Sequence, residues 1–189
     1  KYIGGHSDVI AGACCGSSEL ISRVKVLRTF LGNMAAPQTG WLLMRSLETL
    51  KLRMEQQAIN AQKVAQYLND HDKVEKVYYL GLIKENTEAH AIYKRQYDSP
   101  GAMLSFDIKG GEKEAFKFID SLKLIKLAVS LGGTESLVEH PATMTHAGVD
   151  PKHREELSIT EKLVRISVGV ENSQDIIWDI QQALDNVEL

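Results

Sequence analysis

Three residues of this sequence, Lys1, Ser130 and Arg165, are of types that bind or transform small charged molecules. Lys1 opens the string KYIGGHSDV, residues 1–9, in which a glycine pair closely follows the lysine. A lysine amine can act as a nucleophile or a general base once its pKa is lowered toward neutrality. The residue type alone does not establish such a role, and without further evidence an exposed, solvated lysine is the simpler interpretation.

Arg165 lies in the string LVRISVGVE, residues 163–171, where apolar residues alternate around it. The alternation predicts a strand. Because a buried arginine is costly without an anionic partner, a carboxylate should lie nearby. The pattern alone favours a neighbouring side chain in a structural salt bridge. The alternative is the carboxylate of a bound ligand, which the planar guanidinium can hold by two parallel hydrogen bonds.

Ser130 begins a third string, SLGGTESL at residues 130–137, which is followed by HPATMTH at residues 140–146. The glycine pair predicts a loop. We interpret Glu135 and His146 as structural residues, because polar side chains in folded proteins most often satisfy local hydrogen bonds.

Together the three strings resemble the sulfur-amino-acid family of pyridoxal-phosphate (PLP) enzymes. This family includes cystathionine γ-lyase, cystathionine γ-synthase, methionine γ-lyase and O-acetylhomoserine sulfhydrylase. The resemblance runs along the whole chain and departs from the family at residues 30–36 and 83–98. It implies PLP as the cofactor, attached to Lys1 as a Schiff base, and a substrate α-carboxylate held by Arg165. It also implies that Ser130 lies beside the substrate and the lysine. We assign no metal ligands.

The function implied by the resemblance is C–S bond cleavage in sulfur amino acids. PLP would withdraw electrons, and Lys1 would move protons. Val129, the residue before Ser130, is apolar as in methionine γ-lyases, whereas an acidic residue there resembles many cystathionine-handling members. We therefore expect γ-elimination like that of methionine γ-lyase or cystathionine γ-lyase. Two alternatives stay open: a γ-replacement enzyme, like cystathionine γ-synthase or O-acetylhomoserine sulfhydrylase, and a non-catalytic fragment.

The resemblance also implies partners. In the family, the residues that stack on PLP, pair with its ring nitrogen and hold its phosphate all precede the lysine. We therefore expect this chain, which begins at Lys1 without an initiator methionine, to act with an N-terminal half of the same protein. The resemblance further implies a cytoplasmic homo-oligomer, a tetramer built as a dimer of dimers, that associates through the part before Arg53.

The bulk composition is that of a globular protein. Of the 189 residues, 43% are hydrophobic and 25% are charged, and the formal net charge is −3. This balance does not favour binding to nucleic acid or to an anionic membrane surface. Neither a bilayer-spanning apolar run nor a signal peptide is recognisable in the sequence.

Alternating strands and helices must position these residues. The apolar run at residues 8–15 predicts a buried strand, with Cys14 and Cys15 as buried free thiols. Helical spacing then predicts a helix from residue 17 or 18 to about residue 30, ended by Gly32. A second periodic stretch runs from Pro37 to residue 69. As one helix it would be about 45 Å long, a length typical of a helix that bridges two domains.

The remaining pattern predicts strands at residues 74–79, 102–108, 127–131 and 163–168, and helices at 88–96, 112–122 and 175–187. Such alternation is typical of an α/β or α+β protein. The resemblance implies more: an α/β chain of fold-type I, as in aspartate aminotransferase. Residues 1–52 would form the C-terminal end of the PLP-binding domain, and residues 53–189 the small C-terminal α+β domain.

Overall fold

The computed structural model describes residues 1–189 and contains seven α-helices and five strands. The helices are α1 (Ser18–Leu31), α2 (Pro37–Glu48), α3 (Leu50–Asn69), α4 (Glu88–Gln96), α5 (Glu112–Ser121), α6 (Pro151–Glu156) and α7 (Ser173–Asp185). The strands are β1 (Val74–Tyr78), β2 (Met103–Ile108), β3 (Lys126–Leu127), β4 (Leu137–Glu139) and β5 (Leu163–Ser167).

The five strands form one mixed sheet in the order β1-β2-β5-β4-β3. All neighbours are antiparallel except β3 and β4, which are parallel. Strand β5 lies at the centre of the sheet. The register places Arg165 of β5 opposite Ser105 on one side and Glu139 on the other.

The core lies between this sheet and helices α3, α5 and α7. Phe106 of β2 meets Phe118 of α5 edge to face, with ring centroids 5.5 Å apart. Helix α7 contacts both α3 and α5, and the three helices share one buried apolar cluster with the sheet. Every apolar residue of that cluster lies between Ala61 and Val187. The sheet that carries Arg165 is therefore anchored from behind by a continuous core.

Most predicted elements are confirmed. Strands β1, β2 and β5 match the predicted strands at residues 74–79, 102–108 and 163–168 to within two residues. Helices α1, α4, α5 and α7 match the four shorter predicted helices equally closely. Gly32 ends α1 in the left-handed conformation, with φ 74°. The strand predicted at residues 127–131 is shorter and earlier, since β3 comprises Lys126 and Leu127 alone. Strand β4 and helix α6 were not predicted.

The single long helix predicted from Pro37 to residue 69 is wrong in one respect. It is interrupted at Thr49, which ends α2 and precedes α3 with φ −104° and ψ 3°. The hydroxyl of Thr49 bonds to the carbonyl oxygen of Ser46, at 3.3 Å. A threonine hydroxyl that competes for backbone groups in this way weakens a helix interior.

The buried strand predicted at residues 8–15 is also wrong. These residues form no strand, and Ile10 is fully exposed. Cys14 and Cys15 are free, as predicted, but exposed rather than buried. A strand requires a neighbour to accept its backbone hydrogen bonds, and the one sheet of this chain is assembled from residues 74–167.

Helix α1 has no buried residue. Its apolar side chains are exposed together with those of α2 and the connecting segment: Leu20, Val24, Val26, Leu27, Phe30, Leu31, Met34, Trp41, Met44 and Leu47. No helix of the chain combines the length and the apolar character needed to cross a membrane.

Candidate active site

Lys1 stands at the start of a closed backbone turn. The amide of Gly5 donates to the carbonyl oxygen of Lys1 at 2.8 Å, and Gly5 adopts a left-handed conformation, with φ 68°. The amide of Thr134 donates to the carbonyl oxygen of Gly5 at 3.0 Å. This bond docks the turn, hereafter the lysine turn (residues 1–5), on the loop at residues 130–136.

Gly132 lets the loop approach the lysine turn closely. A Cβ at Gly132 would lie 2.9 Å from the ring of Tyr2 and 3.0 Å from its backbone nitrogen, and the residue has φ 73°. Its amide donates to the hydroxyl of Ser167 at 2.8 Å. Only glycine combines this conformation with this contact.

A cleft of about 720 Å³ lies between the lysine turn and the loop. Its lining includes Lys1, Ser130, Gly133 and Glu135, together with apolar residues such as Ile3 and Leu131. Ligand sites are typically clefts of about 300–1,000 Å³, mostly apolar and with a few polar groups. The structure thus brings two of the sequence-predicted site residues, Lys1 and Ser130, to the wall of one cavity of suitable size.

Arg165 lies directly beside this cleft. Its Nη2 donates to the carbonyl oxygen of Ser130 at 3.1 Å, and its Nη1 pairs with Oε1 of Glu139 at 2.5 Å. The Glu139 side chain is completely buried, whereas 19% of the Arg165 side chain is exposed. Nε of Arg165 and Oε2 of Glu139 are buried without a hydrogen-bond partner. A salt bridge to a neighbouring carboxylate, one of the two partners open from the pattern, is therefore present.

Val129 does not belong to the lining of the cleft. It is 52% exposed, although its neighbours Ala128 and Ser130 both line the cavity. Its side chain is thus near the cleft without forming its wall.

Tyr2 connects the lysine turn with the strand of Arg165. Burial raises the pKa of the Tyr2 hydroxyl, while the nearby Ser167 hydroxyl and the positive charge of Arg165 act in the opposite direction. The residue next to Lys1 therefore places its hydroxyl within the electrostatic reach of the arginine on β5. Sequence reasoning did not single out Tyr2.

Glu135 and His146 make local contacts. Oε1 of Glu135 accepts a hydrogen bond from the hydroxyl of Ser7 at 2.6 Å, which adds a second link between the loop and the segment after the lysine turn. Nδ1 of His146 bonds with the neighbouring Thr145 hydroxyl at 2.9 Å. Both contacts agree with the structural interpretation, although Glu135 also lines the cleft.

Helix α3 presents a polar face, Arg53, Gln57 and Asn60, to the loops of the site. Nε2 of Gln57 donates to the carbonyl oxygens of Gly133 and Val168, at 2.7 and 3.1 Å. Nδ2 of Asn60 donates to those of Gly169 and Glu171, at 3.0 and 2.7 Å. Arg53 donates to the lysine turn. These three polar residues are spaced three and four apart on a helix predicted to bury an apolar stripe. That spacing is the sequence signal from which this polar face could have been identified.

The chain matches the sequence model of the Cys/Met metabolism PLP-dependent enzyme family over residues 1–185. It is 44% identical to an L-methionine gamma-lyase of Fusobacterium nucleatum subsp. polymorphum, with 99% of this chain and 47% of that protein aligned. It is 45% identical to a cystathionine gamma-lyase of Bacillus subtilis (strain 168), with 99% and 49% aligned. A cystathionine beta-lyase of Lactococcus lactis subsp. cremoris is 44% identical, with 98% and 48% aligned.

The fold matches solved structures equally well. A cystathionine gamma-lyase from Micromonospora echinospora superposes with a TM-score of 0.91 at 39% identity, over 98% of this chain and 48% of that one. A cystathionine gamma-lyase from Lactobacillus plantarum, solved in complex with L-serine, superposes with a TM-score of 0.89 at 38% identity. The chain spans about half the length of the relatives it matches.

Proposed function

Since the chain belongs to the family of PLP-dependent enzymes of cysteine and methionine metabolism, we propose that it carries the lysine and the substrate-carboxylate site of a C–S lyase. The reaction we assign is γ-elimination from a sulfur amino acid such as methionine or cystathionine. One observation carries the proposal: Lys1 and Ser130 line a single cleft, and Arg165 bonds to the Ser130 carbonyl at its edge.

The residues around Lys1 fit a covalently attached PLP. The lysine is exposed at the wall of a cleft whose 720 Å³ is large enough for a small ligand, and apolar and glycine residues predominate in the lining. Lys1 would hold the cofactor, and the segment at residues 9–13 and Leu131 would surround it. When bound, PLP supplies an electron sink for bond cleavage next to the substrate amine.

Lys1 and Arg165 have separate tasks in the proposed reaction. The amine of Lys1, once released by the substrate amine, would take the proton from the substrate Cα and return protons to neighbouring carbons. Arg165 would orient the substrate through its α-carboxylate. Its Nη2 carries two N–H groups and bonds to one backbone carbonyl, and 19% of the side chain is exposed, so this nitrogen retains a donor for a ligand. Glu139 fixes the other terminal nitrogen, Nη1.

We further propose that residues 1–52 are the last part of a PLP-binding domain and that residues 53–189 are the C-terminal domain. In support, the apolar core cluster lies wholly in the second range, while α1 and α2 expose their apolar side chains. The rest of the PLP-binding domain and a second subunit of a homo-oligomer would cover that surface. The relatives are about twice as long as this chain, which leaves enough residues for the rest of a PLP-binding domain.

Borohydride reduction of the PLP-loaded protein, followed by peptide mapping, tests the assignment of the lysine. We expect the pyridoxyl group on Lys1. A pyridoxyl group on Lys51, Lys126 or another lysine would remove Lys1 from the site.

The reaction itself is tested by supplying L-methionine or L-cystathionine and measuring the released thiol and 2-oxo acid. We expect both products in equal amounts. Formation of a new thioether from an activated homoserine and a thiol, without any 2-oxo acid, would show replacement chemistry instead of elimination.

A further inference from the structure

Arg53 is a buried cation whose partners are all neutral. The residue is 7% exposed, near the start of α3, and it forms none of the four salt bridges of the chain. Burial lowers the pKa of Arg53, but an arginine remains charged in proteins. Taking a cation out of water without an anion beside it is unfavourable, so hydrogen bonds to dipoles must compensate.

Those hydrogen bonds join three segments of the chain. Nη1 of Arg53 donates to the carbonyl oxygen of Tyr2 at 2.8 Å, and Nη2 lies 3.5 Å from that of Ile3. Nη2 also donates to the carbonyl oxygen of Ser46 near the C-terminus of α2, at 3.0 Å. Nε donates to the hydroxyl of Thr49 at 3.3 Å, where the two helices meet. One planar group thus fixes the lysine turn against α2 and α3.

The lysine turn is shaped to receive this group. A Cβ at Gly5 would lie 2.0 Å from Nη1 of Arg53, so the left-handed glycine leaves the space that the guanidinium occupies. On its other side the turn is docked by the bond from Thr134 to Gly5. The backbone that carries Lys1 is therefore held between the guanidinium and the loop at residues 130–136.

We propose that Arg53 is a positioning residue that fixes the lysine turn so that the amine of Lys1 faces the cleft. The proposal rests on the proposed function, because it requires Lys1 to carry the cofactor. An apolar side chain could fill the same volume without the cost of a buried charge, but it could not fix the carbonyls of Tyr2 and Ser46 in one geometry. The expected role is thus orientation of Lys1 in addition to stability.

Lys73 offers a matched control. Its ammonium group also binds backbone carbonyls, those of Leu184 and Val187 at 2.8 Å each, where it closes the end of α7. It makes no contact with the lysine turn or the cleft. Removal of Lys73 should therefore lower stability without changing the chemistry of Lys1.

The test compares Arg53→Met, Arg53→Lys and Lys73→Met in the whole PLP-loaded protein. For each variant, thermal unfolding, the rate at which PLP rebinds covalently to the apoprotein, kcat and KM are measured. We expect Arg53→Met to lower kcat and the rate of rebinding by about 10- to 100-fold, since small misplacements of a catalytic group have effects of this size, with KM changed much less. Arg53→Lys, which keeps one cationic contact, should recover part of both. Lys73→Met should alter the unfolding temperature alone.

The proposal fails if Arg53→Met lowers the unfolding temperature as Lys73→Met does but leaves kcat and the rebinding rate unchanged. If Arg53→Met does not fold, Arg53→Lys decides: a folded lysine variant with wild-type kcat and wild-type rebinding also overturns the proposal. Failure of the proposed function has a different signature, because the pyridoxyl group of the wild-type protein would then map to a lysine other than Lys1.

Discussion

Arg165 has the structural partner that its sequence pattern predicts. The alternation of apolar residues around it required an anionic partner, and Glu139 is that partner, directly opposite on the neighbouring strand. The sequence could not identify Glu139, because the strand that carries it is only three residues long. The ion pair occupies Nη1, and Nη2 already donates one hydrogen bond to the Ser130 carbonyl, so the role in substrate binding stays a prediction.

Arg165→Lys should not be conservative. Lysine carries the charge but cannot reproduce the planar, two-bond grip on a carboxylate. Loss of part of a charge-assisted pair in a desolvated site costs about 2 to 4 kcal/mol, or roughly 30- to 1,000-fold in kcat/KM. Steady-state kinetics should show this loss for every amino-acid substrate, with PLP content unchanged. Loss of PLP or of folding in the variant would instead identify the Glu139 pair as purely structural.

Tyr78 gives the stability of the protein a specific dependence on alkaline pH. Burial, with a hydrogen bond to Asp107 at 2.8 Å, raises the pKa of Tyr78 from 10.0 to about 12. Its contribution to stability is complete below pH 10 and is lost as the pH rises toward 12, because the unfolded chain ionises first. Denaturant titrations at several pH values should show a steeper loss over this interval in the wild type than in Tyr78→Phe. If the wild type and Tyr78→Phe lost stability equally with rising pH, Tyr78 would ionise as readily in the folded chain as in the unfolded one.

At the scale of elements, the sequence predicts best those helices and strands whose signals lie within their own residues. Helices α4 and α5 carry capping residues and an amphipathic pattern, and both were predicted closely. Strand β4 was missed because Glu139, a buried charge, ends an apolar run of only two residues. Helix α6 had a recognisable signal, Asp150 as its cap before Pro151. The strand predicted at residues 8–15 failed because strand formation depends on a neighbour that a sequence pattern does not reveal.

Helix α7 stabilises the approach to β3 through Asp179. This fully buried carboxylate accepts hydrogen bonds from the amides of Lys123, Leu124 and Ile125, each at 2.8 Å. Asp179→Ala would leave three backbone donors without their acceptor, at a cost of about 3 to 5 kcal/mol in the free energy of unfolding. Chemical denaturation measures this change as a lower midpoint at an unchanged slope. Asp175→Ala, an exposed change in the first turn of the same helix, should cost less than about 1 kcal/mol. Similar losses in the two variants would contradict this account of Asp179.

At the scale of the whole molecule, the chain has two regions of very different burial. Residues 58–187 supply every buried apolar residue, whereas α1 has none and exposes Phe30 to 84% of its full area. The overall composition combines the buried and the exposed region into one average. The composition therefore predicted an ordinary globular protein. The first buried apolar residue along the chain is Ala58, and the division at residue 52 that the resemblance implies stays a prediction.

Hydrogen exchange should separate the two regions. Amides of α1 have no tertiary packing to protect them and should exchange on the order of 100-fold or more faster than those of α3 between residues 57 and 68, whose inner face is buried. Mass spectrometry of peptides would measure the difference in this chain alone, without the partners that we propose cover α1. Comparable protection in both helices would show that α1 is covered in solution, for example by a second copy of the chain.

The polar face of α3 has a consequence for sequence variation in the loop. The three side chains of this face donate hydrogen bonds to backbone carbonyls of the loops, not to loop side chains. The acceptors belong to the lysine turn, Gly133, Gly169 and Glu171. We therefore expect these contacts to persist when side chains at residues 130, 131 and 134 are changed, provided that the glycines, the three side chains of α3, and Glu135, Ser136 and Leu137 are retained. The geometry of the loop backbone is thus inherited from the helix, so that its side chains can vary without moving the lysine turn.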